Sequence, residues 1–289
     1  MLAAGCVTIK VRHQVKKEEI HPQLEASEGQ LLAAYNEQAL AVRSLQATVD
    51  MFPSTGSTYS GVIEEYHDVP GFILAERPAT VRVIGQAPVV ATNIFDMVSN
   101  GETFRIYIPS KNAFLVGATS LTRPSKKPIE NLRPQHIVEA LFWPELPASA
   151  NVLFEQFNAD PNRYYILTLL RPAAGGKLEI ARKIWFDRAD LRVSRVQLYG
   201  ADGRLDSDIA YSDWQPVGVA PAAGAEPVTA QTQYPRGIHI WRPQDDYKLE
   251  IVITKLSVNE AISADRFDLA QPAGTELVRV GEDSAGAQP

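Results

Sequence analysis

The side chains able to bind a metal ion or to attack a substrate are few in this sequence and far apart. The five histidines are His13, His21, His67, His136 and His239. No two of them have the HxH, HExxH or HxxxH spacing that brings imidazoles onto one zinc or iron ion. The stretch nearest to the GxSxG turn of a serine nucleophile, Gly56-Ser57-Thr58-Tyr59-Ser60-Gly61, has a different spacing and is typical of a turn. The sequence therefore predicts neither a metal site nor a nucleophilic active site.

Acidic side chains occur close together three times, at Glu64-Glu65, at Asp206 and Asp208, and at Asp245-Asp246. Glycoside hydrolysis would need two such carboxylates facing each other across a cleft. Asp206 and Asp208 instead share the polar face of an alternating segment, and Asp245 lies in a Pro-Gln-Asp-Asp turn. The sequence also lacks the glycine-rich loops that hold phosphates. With no catalytic residue assigned, we expect a protein that is not an enzyme and has no cofactor.

The single cysteine, Cys6, is the one residue whose surroundings indicate a chemical modification. Together with the preceding Leu2-Ala3-Ala4-Gly5 it resembles a bacterial lipobox, in which a signal peptide is cleaved before a cysteine that receives lipid. Such a signal also needs an apolar segment of about 7 to 15 residues. We therefore expect a longer natural start, lost through a late start codon or through trimming. The alternative is an ordinary N-terminus with a free thiol, and Cys6 is the predicted lipidation site.

The composition is that of a globular protein. The chain has 289 residues, of which 45% are hydrophobic and 21% charged, and its formal net charge is -6. These values lie far from those of disordered or membrane-spanning chains. Lysine and arginine form no block beyond the pairs Lys16-Lys17 and Lys126-Lys127, so we expect no nucleic-acid partner.

A helix followed directly by a strand opens the patterned part of the sequence. Ser27 and Gln30 form a capping-box pattern, and Leu31 and Tyr35 begin a row of apolar residues three or four positions apart. From Leu45 the apolar period changes to two. This change predicts that the helix passes into a strand without a long loop.

Most later segments are short and alternate apolar with polar residues, among them 80–84, 103–108, 178–187 and 205–213. Short turns join them, so segments next to each other in sequence should pair antiparallel. With a second helix at 135–143, roughly a dozen strands and two or three helices predict an α+β fold with a large antiparallel sheet. Such a sheet curls. Either helices or a ligand then fill its concave face, and the residues leave both possibilities open.

Four stretches in a fixed order resemble a known family. They are the helix-to-strand entry Leu31-Leu32-Ala33-Ala34-Tyr35-Asn36 through Val42-Arg43-Ser44-Leu45-Gln46-Ala47, the hairpin Asn100-Gly101-Glu102-Thr103-Phe104-Arg105-Ile106-Tyr107-Ile108-Pro109, the run from Trp185-Phe186-Asp187 to Trp214, and the closing segments Tyr234-Pro235-Arg236-Gly237-Ile238-His239-Ile240, 249–256 and Phe267-Asp268-Leu269. Together they span residues 28–272. In their order and spacing they are similar to the LolA/LolB superfamily of bacterial lipoprotein carriers and receptors, most closely to its outer-membrane lipoprotein branches.

The resemblance implies an incurved antiparallel half-barrel with helices as a lid, enclosing an apolar cavity for lipid or lipoprotein acyl chains. It also implies a place on the periplasmic face of the outer membrane, with a lipidated Cys6 as the anchor and a role in sorting lipoproteins. Val7 is not the aspartate that retains lipoproteins in the inner membrane of some enterobacteria. Stable attachment needs at least two acyl chains, and a lipoprotein cysteine carries that many.

The expected organisation follows from these features. It comprises a lipobox remnant and flexible tether at 1–27, a LolA/LolB-like lipid-binding domain at 28–272 and a disordered tail at 273–289. The expected partners are lipid or lipoprotein acyl chains, the membrane through the anchor, and other envelope proteins. An alternative function stays open, that of a lipid-anchored structural or regulatory protein whose filled core binds another envelope protein.

Overall fold

The computed structural model describes residues 23–57, 62–65, 69–90, 92–120, 133–159, 162–218 and 231–281. Within these ranges lie two α-helices, α1 at Glu28–Ala41 and α2 at Pro134–Leu141, and fifteen β-strands. The strands are β1 Ser44–Ser57, β2 Val62–Glu65, β3 Val69–Glu76, β4 Thr80–Gln86, β5 Asn93–Ser99, β6 Thr103–Ile108, β7 Ala113–Ala118, β8 Asn151–Ala159, β9 Asn162–Pro172, β10 Leu178–Asp187, β11 Val193–Tyr199, β12 Leu205–Gly218, β13 Gln231–Arg242, β14 Tyr247–Val258 and β15 Glu276–Arg279.

All the strands described belong to one open sheet. Its order is β15-β7-β6-β5-β4-β3-β1-β14-β13-β12-β11-β10-β9-β8, with β2 paired to β1 beside this path. Neighbours pair antiparallel, except that β15 runs parallel to β7. The end strands β15 and β8 do not pair with each other, so the sheet curves without closing. The predicted α+β class, with a large incurved sheet and packed helices, is confirmed; the described sheet has fifteen strands instead of about a dozen, and one parallel pair.

Helix α1 begins and ends where side chains satisfy its terminal backbone groups. The Ser27 hydroxyl accepts a hydrogen bond from the Gln30 N–H at 3.4 Å, and the Gln30 side-chain oxygen accepts one from the Ser27 N–H at 2.8 Å. At the other end, Asn259 donates to the carbonyl oxygen of Ala41 at 2.8 Å and accepts from the N–H of Arg43 at 2.7 Å. These bonds allow the helix to pass directly into β1, as the sequence predicts.

The main hydrophobic core lies between the concave face of the sheet and the helices. Alternate strand residues point into it, with complete burial at Leu45, Val49, Ile209, Ile238 and Ile251. The helices contribute Leu31, Tyr35 and Ala39 of α1, and Ile137, Ala140 and Leu141 of α2. Residues 142–146 follow α2 across the same face and bury Phe142, Trp143 and Leu146. We use the term lid for α1, α2 and residues 142–146 together.

The C-terminal end of the described chain corrects one prediction. Residues 276–279 form β15, whereas the sequence predicts a disordered tail at 273–289. As an edge strand, β7 offers unpaired backbone groups to a short segment carrying Leu277 and Val278. Val280 then packs into the main core with 8% of its surface exposed. Edge pairing and this single buried side chain extend the folded part beyond the predicted boundary, and residues 282–289 lie outside the described ranges.

Before β15 the chain crosses the outer face of the sheet. Leu269 packs there with Val98 and Phe114 in a small second cluster. Arg105 donates a hydrogen bond to the Leu269 carbonyl oxygen at 3.2 Å. The segment 267–269, which the resemblance assigns to the closing strands, instead begins with the last residue of a 3-10 turn at Ala264–Phe267 and makes these contacts through Leu269. The C-terminal segment therefore covers apolar residues on the face away from the lid.

The segment before α1 is attached to the sheet through Arg188. The Leu24 N–H donates to the Arg188 carbonyl oxygen at 2.8 Å, and the Arg188 guanidinium donates back to the Leu24 carbonyl oxygen at 3.3 Å. Residues 23–27, which the sequence assigns to the flexible tether, are therefore held against the sheet at Leu24. Residues 1–22, with the predicted lipidation site Cys6, lie outside the described ranges, so the rest of the tether and the anchor stay predictions. Neither helix described is long and apolar enough to cross a membrane.

Candidate functional site

Arg77, in the turn between β3 and β4, joins the parts of the lid. Its guanidinium donates to the carbonyl oxygens of Val42 at 2.9 Å, Ala39 at 2.6 Å and Trp143 at 2.9 Å. Its Cζ also lies 4.9 Å from the centre of the Phe142 ring, a cation–π contact. Burial lowers the pKa of Arg77 from its ordinary value, but an arginine remains protonated in proteins. One cation therefore holds the end of α1 and the segment after α2.

Two tyrosines of the sheet fix the end of α2. Tyr211 of β12 donates its hydroxyl to the carbonyl oxygen of Ala140 at 3.0 Å, and Tyr234 of β13 donates to that of Leu141 at 2.9 Å. Burial raises the pKa of both hydroxyls, so both stay protonated donors at neutral pH. The last carbonyl groups of a helix have no partner within it. The sheet therefore supplies the bonds that α2 lacks.

Trp143 lies at the centre of the contact between lid and sheet, with 6% of its surface exposed. Its indole stacks on Tyr35 of α1 with ring centres 5.4 Å apart, and it meets Tyr211 edge-on at 5.3 Å. The ring of Trp214 lies 5.9 Å away. The indole N–H donates to the Tyr211 hydroxyl at 2.8 Å. One side chain thus connects α1, the segment after α2 and β12.

Two amide side chains of α1 complete the polar contacts of the lid. Asn36 donates to the Leu146 carbonyl oxygen at 2.9 Å and accepts from the Leu146 N–H at 2.8 Å. Gln38 donates to the carbonyl oxygen of Gln233 in β13 at 2.7 Å. The lid is therefore held by apolar packing and separate side-chain bonds, whereas the strands are joined by continuous ladders of backbone bonds.

Beside Arg77 and Trp143, the described residues of the lid and the sheet leave almost no free space between them. The cavity bordered by Arg77, Trp143, Tyr211 and Tyr234 has a volume of about 10 Å³. That volume is about the room that one water molecule needs, whereas pockets for small organic ligands measure about 300 to 1,000 Å³. Helices therefore fill this part of the concave face, which is one of the two possibilities that the sequence leaves open. A ligand can enter at this place only if the lid moves.

A second, polar depression of about 300 Å³ opens beside the first turn of α2, at the ends of β11 to β14. We use the term end pocket for it. Arg133, His136 and Glu139 border it from the helix side, and Asp206 and Arg242 from the strands. His136 is 6% exposed, and its Nδ1 has no hydrogen-bond partner among the described residues. Burial, then the charges of Arg242 and Arg133, lower the pKa of His136 well below its ordinary value, so the ring is neutral at neutral pH.

This lowered pKa of His136 predicts how stability depends on pH. Between the folded-state pKa and the ordinary value of 6.5 the unfolded chain binds more protons than the folded one. The free energy of unfolding contributed by this group is therefore present above about pH 6.5 and is lost as the pH falls, at a rate of at most about 1.4 kcal/mol per pH unit. Urea unfolding of the wild type and of His136→Gln at a series of pH values measures the difference.

The control for this experiment is His239→Gln, because His239 is exposed on β13. We expect the wild type and His239→Gln to lose stability in parallel below about pH 6.5, and His136→Gln to lose less. Identical slopes for all three proteins would contradict the assignment.

The structure separates the residues that the sequence singled out for chemistry. Among the described residues no three His, Cys, Asp or Glu side chains form a group that could hold a metal ion. Asp208 lies on the outer face and accepts hydrogen bonds from Arg195 at 2.6 Å and from Gln197 at 3.1 Å. Asp245 accepts from Arg242 at 2.5 Å, and Asp206 borders the end pocket. Asp206 and Asp208 therefore lie in separate surroundings.

Sequence reasoning missed Arg77 and left the tryptophans unassigned. Trp143 and Trp214 lie on the lid side, whereas Trp185 and Trp241 lie on the outer face. The alternation of side chains along a strand predicts that Trp185 and Trp241 point outward, because each directly follows an isoleucine that is completely buried. Arg77 had no such signal, because its importance comes from carbonyl groups distant in sequence.

Solved structures share this architecture. The chain aligns with a DUF1329 family protein from Desulfovibrio piger with a TM-score of 0.51 and 15% identity, over 82% of this chain and 94% of that one. A LolA superfamily protein from Nitrosomonas europaea aligns with a TM-score of 0.47 and 11% identity, over 82% and 96% of the two chains. A domain described as that of an outer membrane lipoprotein-sorting protein from Vibrio parahaemolyticus gives 0.44 and 11%, over 82% and 95%. No family model and no curated protein matches the sequence.

These likenesses concern the fold. The open, incurved sheet with two helices on its concave side matches the half-barrel that the sequence motifs predict, and the DUF1329 family protein has the same fold. Identities of 15% and below do not transfer a ligand or an activity from one protein to another. The function has to be argued from the residues of this chain.

Proposed function

We propose that the protein is a lipid-binding protein of the bacterial envelope that accepts an acyl chain between its concave face and its lid. The observation that carries the proposal is the way in which the lid is attached to the concave face. A wide apolar face is covered by two helices that are bonded to it through single side chains such as Arg77 and Gln38. Binding or sorting of lipoproteins is the kind of function that a LolA-like fold suggests.

Opening the lid for an acyl chain is energetically feasible. It would expose apolar side chains of both helices, namely Leu31, Tyr35, Ile137, Ala140 and Leu141. At about 1.5 to 3 kcal/mol for each large side chain, their burial is worth about 6 to 12 kcal/mol. A sixteen-carbon acyl chain buries about fourteen methylene groups at about 0.8 kcal/mol each, about 11 kcal/mol in total. An acyl chain therefore replaces contacts of the size that the two helices lose, while Phe142, Trp143 and Leu146 add to the cost if residues 142–146 move as well.

The envelope location and the anchor belong to the same proposal. Lipid on Cys6 would hold the protein on the periplasmic face of the outer membrane, and the segment ending at Leu24 would connect the anchor to the sheet. The test is metabolic labelling with a fatty-acid analogue, using a gene that includes the upstream reading frame. We expect label on the wild type and none on Cys6→Ser. Absence of label from both proteins would contradict the anchor.

Native mass spectrometry of the purified protein tests the binding function. After incubation with palmitate, we expect a complex with one acyl chain per protein, and lipid extraction should recover that chain. A protein that stays free of lipid at every palmitate concentration would contradict the proposal.

A second function is favoured by one observation, the volume of only about 10 Å³ between lid and sheet beside Arg77 and Trp143. A permanently filled core would make the protein a lipid-anchored structural or regulatory component that binds another envelope protein. The same mass spectrometry distinguishes the two functions, because only the first predicts bound palmitate.

A further inference from the structure

Strand β8 forms one edge of the sheet, and most of its side chains are exposed. Its nine residues pair with β9, and no other described residue pairs with them. Leu153, Phe154 and Phe157 are 58%, 40% and 43% exposed. A long, apolar edge strand favours pairing with a further strand, so native proteins shorten, charge, bend or cover such edges.

The opposite edge of the sheet has this protection, and β8 does not. At the opposite edge, β15 has four residues, of which the first is Glu276 and the last Arg279. In contrast, β8 is more than twice as long, contains no proline, and has Glu155 as its one charged residue. Its register with β9 is continuous, without a bulge. A covering segment is therefore the protection that remains for β8.

The exposed side chains of β8 continue apolar surfaces on both faces of the sheet. Phe154 packs on Tyr165 of the main core, with ring centres 5.3 Å apart. Phe157 contacts Trp185 of the outer face, with ring centres 5.5 Å apart. Glu155 shares the outer face with Phe157, because alternate residues of a strand share a face. A strand that fits beside β8 is therefore apolar on its concave side and has a cation on its outer side.

A segment near the N-terminus of this chain has that pattern. It is Val7-Thr8-Ile9-Lys10-Val11-Arg12-His13-Gln14-Val15, in which valine and isoleucine occupy alternate positions, interrupted only by His13. Lys10 and Arg12 lie at the positions between them, and the nine residues include no acid. Such alternation is typical of a half-buried strand. The long stems of lysine and arginine can also cover apolar surface while their charge stays in water.

The described chain begins close to the end of β8. Leu24 is bonded to Arg188, and the Arg188 N–H donates to the carbonyl oxygen of Arg163 at 3.0 Å. Arg163 is the partner of Asn158 in the pairing of β9 with β8. A position beside β8 is therefore about four strand spacings, about 20 Å, from Leu24. The eight residues 16–23 can span up to about 26 Å, so residues 7–15 can reach the edge.

We propose that residues 7–15 add to β8 as a further strand of the sheet. The valines and the isoleucine extend the concave face beside Phe154, and Lys10 and Arg12 lie beside Glu155 on the outer face. Because the segment enters at the end of β8, it runs parallel to β8, as β15 runs parallel to β7 at the other edge. The inference goes beyond the proposed function, since this pairing needs neither an acyl chain under the lid nor lipid on Cys6.

Hydrogen–deuterium exchange of the full chain, followed by mass spectrometry, tests the pairing. Backbone amides within a strand exchange slowly because they are hydrogen-bonded. We expect amides of residues 7–15 to exchange at least about tenfold more slowly than in a free peptide of the same sequence. Residues 7–15 that exchange as fast as the free peptide would overturn the proposal.

Glu155→Lys tests the charge contact. It places a cation beside Lys10 and Arg12, so exchange of residues 7–15 should become about threefold faster or more. The matched control is Glu276→Lys, the same substitution at an exposed position of the opposite edge strand, which should leave this exchange unchanged. Unchanged exchange of β6 in both variants shows that the fold is preserved. Equal effects of the two substitutions on residues 7–15 would contradict the placement beside Glu155.

Val11→Asp is a second variant that leaves every described residue unchanged. It puts a carboxylate into the apolar row of the segment, so residues 7–15 should lose their protection while β6 keeps its own. Sedimentation velocity identifies any other occupant of the edge. We expect a monomer, whereas a dimer in which residues 7–15 exchange rapidly would show that a second copy covers β8 and would overturn the proposal. Each of these results is independent of palmitate binding.

Discussion

Replacing Trp143 with alanine lowers the free energy of unfolding by about 3 to 5 kcal/mol, the range found for large aromatic residues removed from a core. The substitution removes the stacking on Tyr35, the edge contact with Tyr211 and the contact with Trp214. It also removes the indole N–H that donates to the Tyr211 hydroxyl at 2.8 Å. Because these contacts join the lid to the sheet, the substitution leaves a cavity between the two. Urea unfolding at constant pH measures the loss.

Trp241→Ala is the matched control for Trp143→Ala. The side chain of Trp241 is 38% exposed on the outer face of β13, so its loss should cost about 1 kcal/mol or less. The loss of stability in Trp143→Phe should lie between those of Trp143→Ala and Trp241→Ala, since phenylalanine keeps an aromatic ring but cannot form the hydrogen bond. Equal losses for Trp143→Ala and Trp241→Ala would show that Trp143 does not hold the lid.

Replacing Arg77 with methionine lowers stability and raises the affinity for an acyl chain. The lost bonds, to the carbonyl oxygens of Val42, Ala39 and Trp143, exist only while the lid is closed. Hydrogen bonds to a charged group contribute about 1.5 to 3 kcal/mol each. The closed state has no room for a chain beside Arg77 and Trp143. If the chain binds there, weakening the closed state by about 1.4 kcal/mol lowers the apparent Kd about tenfold. Titration with palmitate and urea unfolding measure the two effects.

Arg82→Met is the control that separates stability from affinity. Arg82 also donates three hydrogen bonds, two to Asp96 at 3.0 and 2.7 Å and one to the Arg266 carbonyl oxygen at 2.8 Å, but on the outer face. We expect this variant to lose a comparable amount of stability with no change in Kd for palmitate. A Kd for Arg77→Met that equals or exceeds the wild-type value would contradict the role of Arg77 as the bond that keeps the lid closed.

Local patterns in the sequence predict most of the architecture. The capping box at Ser27 starts α1 as expected, and the change of period at Leu45 marks the passage into β1. The segments 103–108 and 178–187 match β6 and β10 at both ends. These features depend on residues close together in sequence, where side-chain alternation and capping act directly. The strand β15 was missed because its stability comes from pairing with β7, more than 150 residues earlier in the chain.

The site depends on contacts that no local pattern records. Whether the concave face is open or filled is decided by the sizes of side chains from two helices and many strands. Arg77 reaches carbonyl groups 35, 38 and 66 positions away. In the end pocket, His136 of α2 lies beside Arg242 at the end of β13. These two residues are too far apart in sequence for a motif spacing to predict that they meet. The resemblance to a superfamily predicted a lid and a concave face. The residues that hold the two together were identified only from the structure.

Quenching of tryptophan fluorescence by a dibrominated fatty acid tests the central claim most directly. Bromine quenches an indole only in close contact, and Trp143 and Trp214 lie on the lid side while Trp185 and Trp241 lie on the outer face. The double variant Trp185→Phe/Trp241→Phe keeps only the pair on the lid side. If an acyl chain enters between lid and sheet, dibrominated stearate should quench a larger fraction of the emission of this variant than of the wild type. An equal or smaller quenched fraction in the variant would contradict a binding site under the lid.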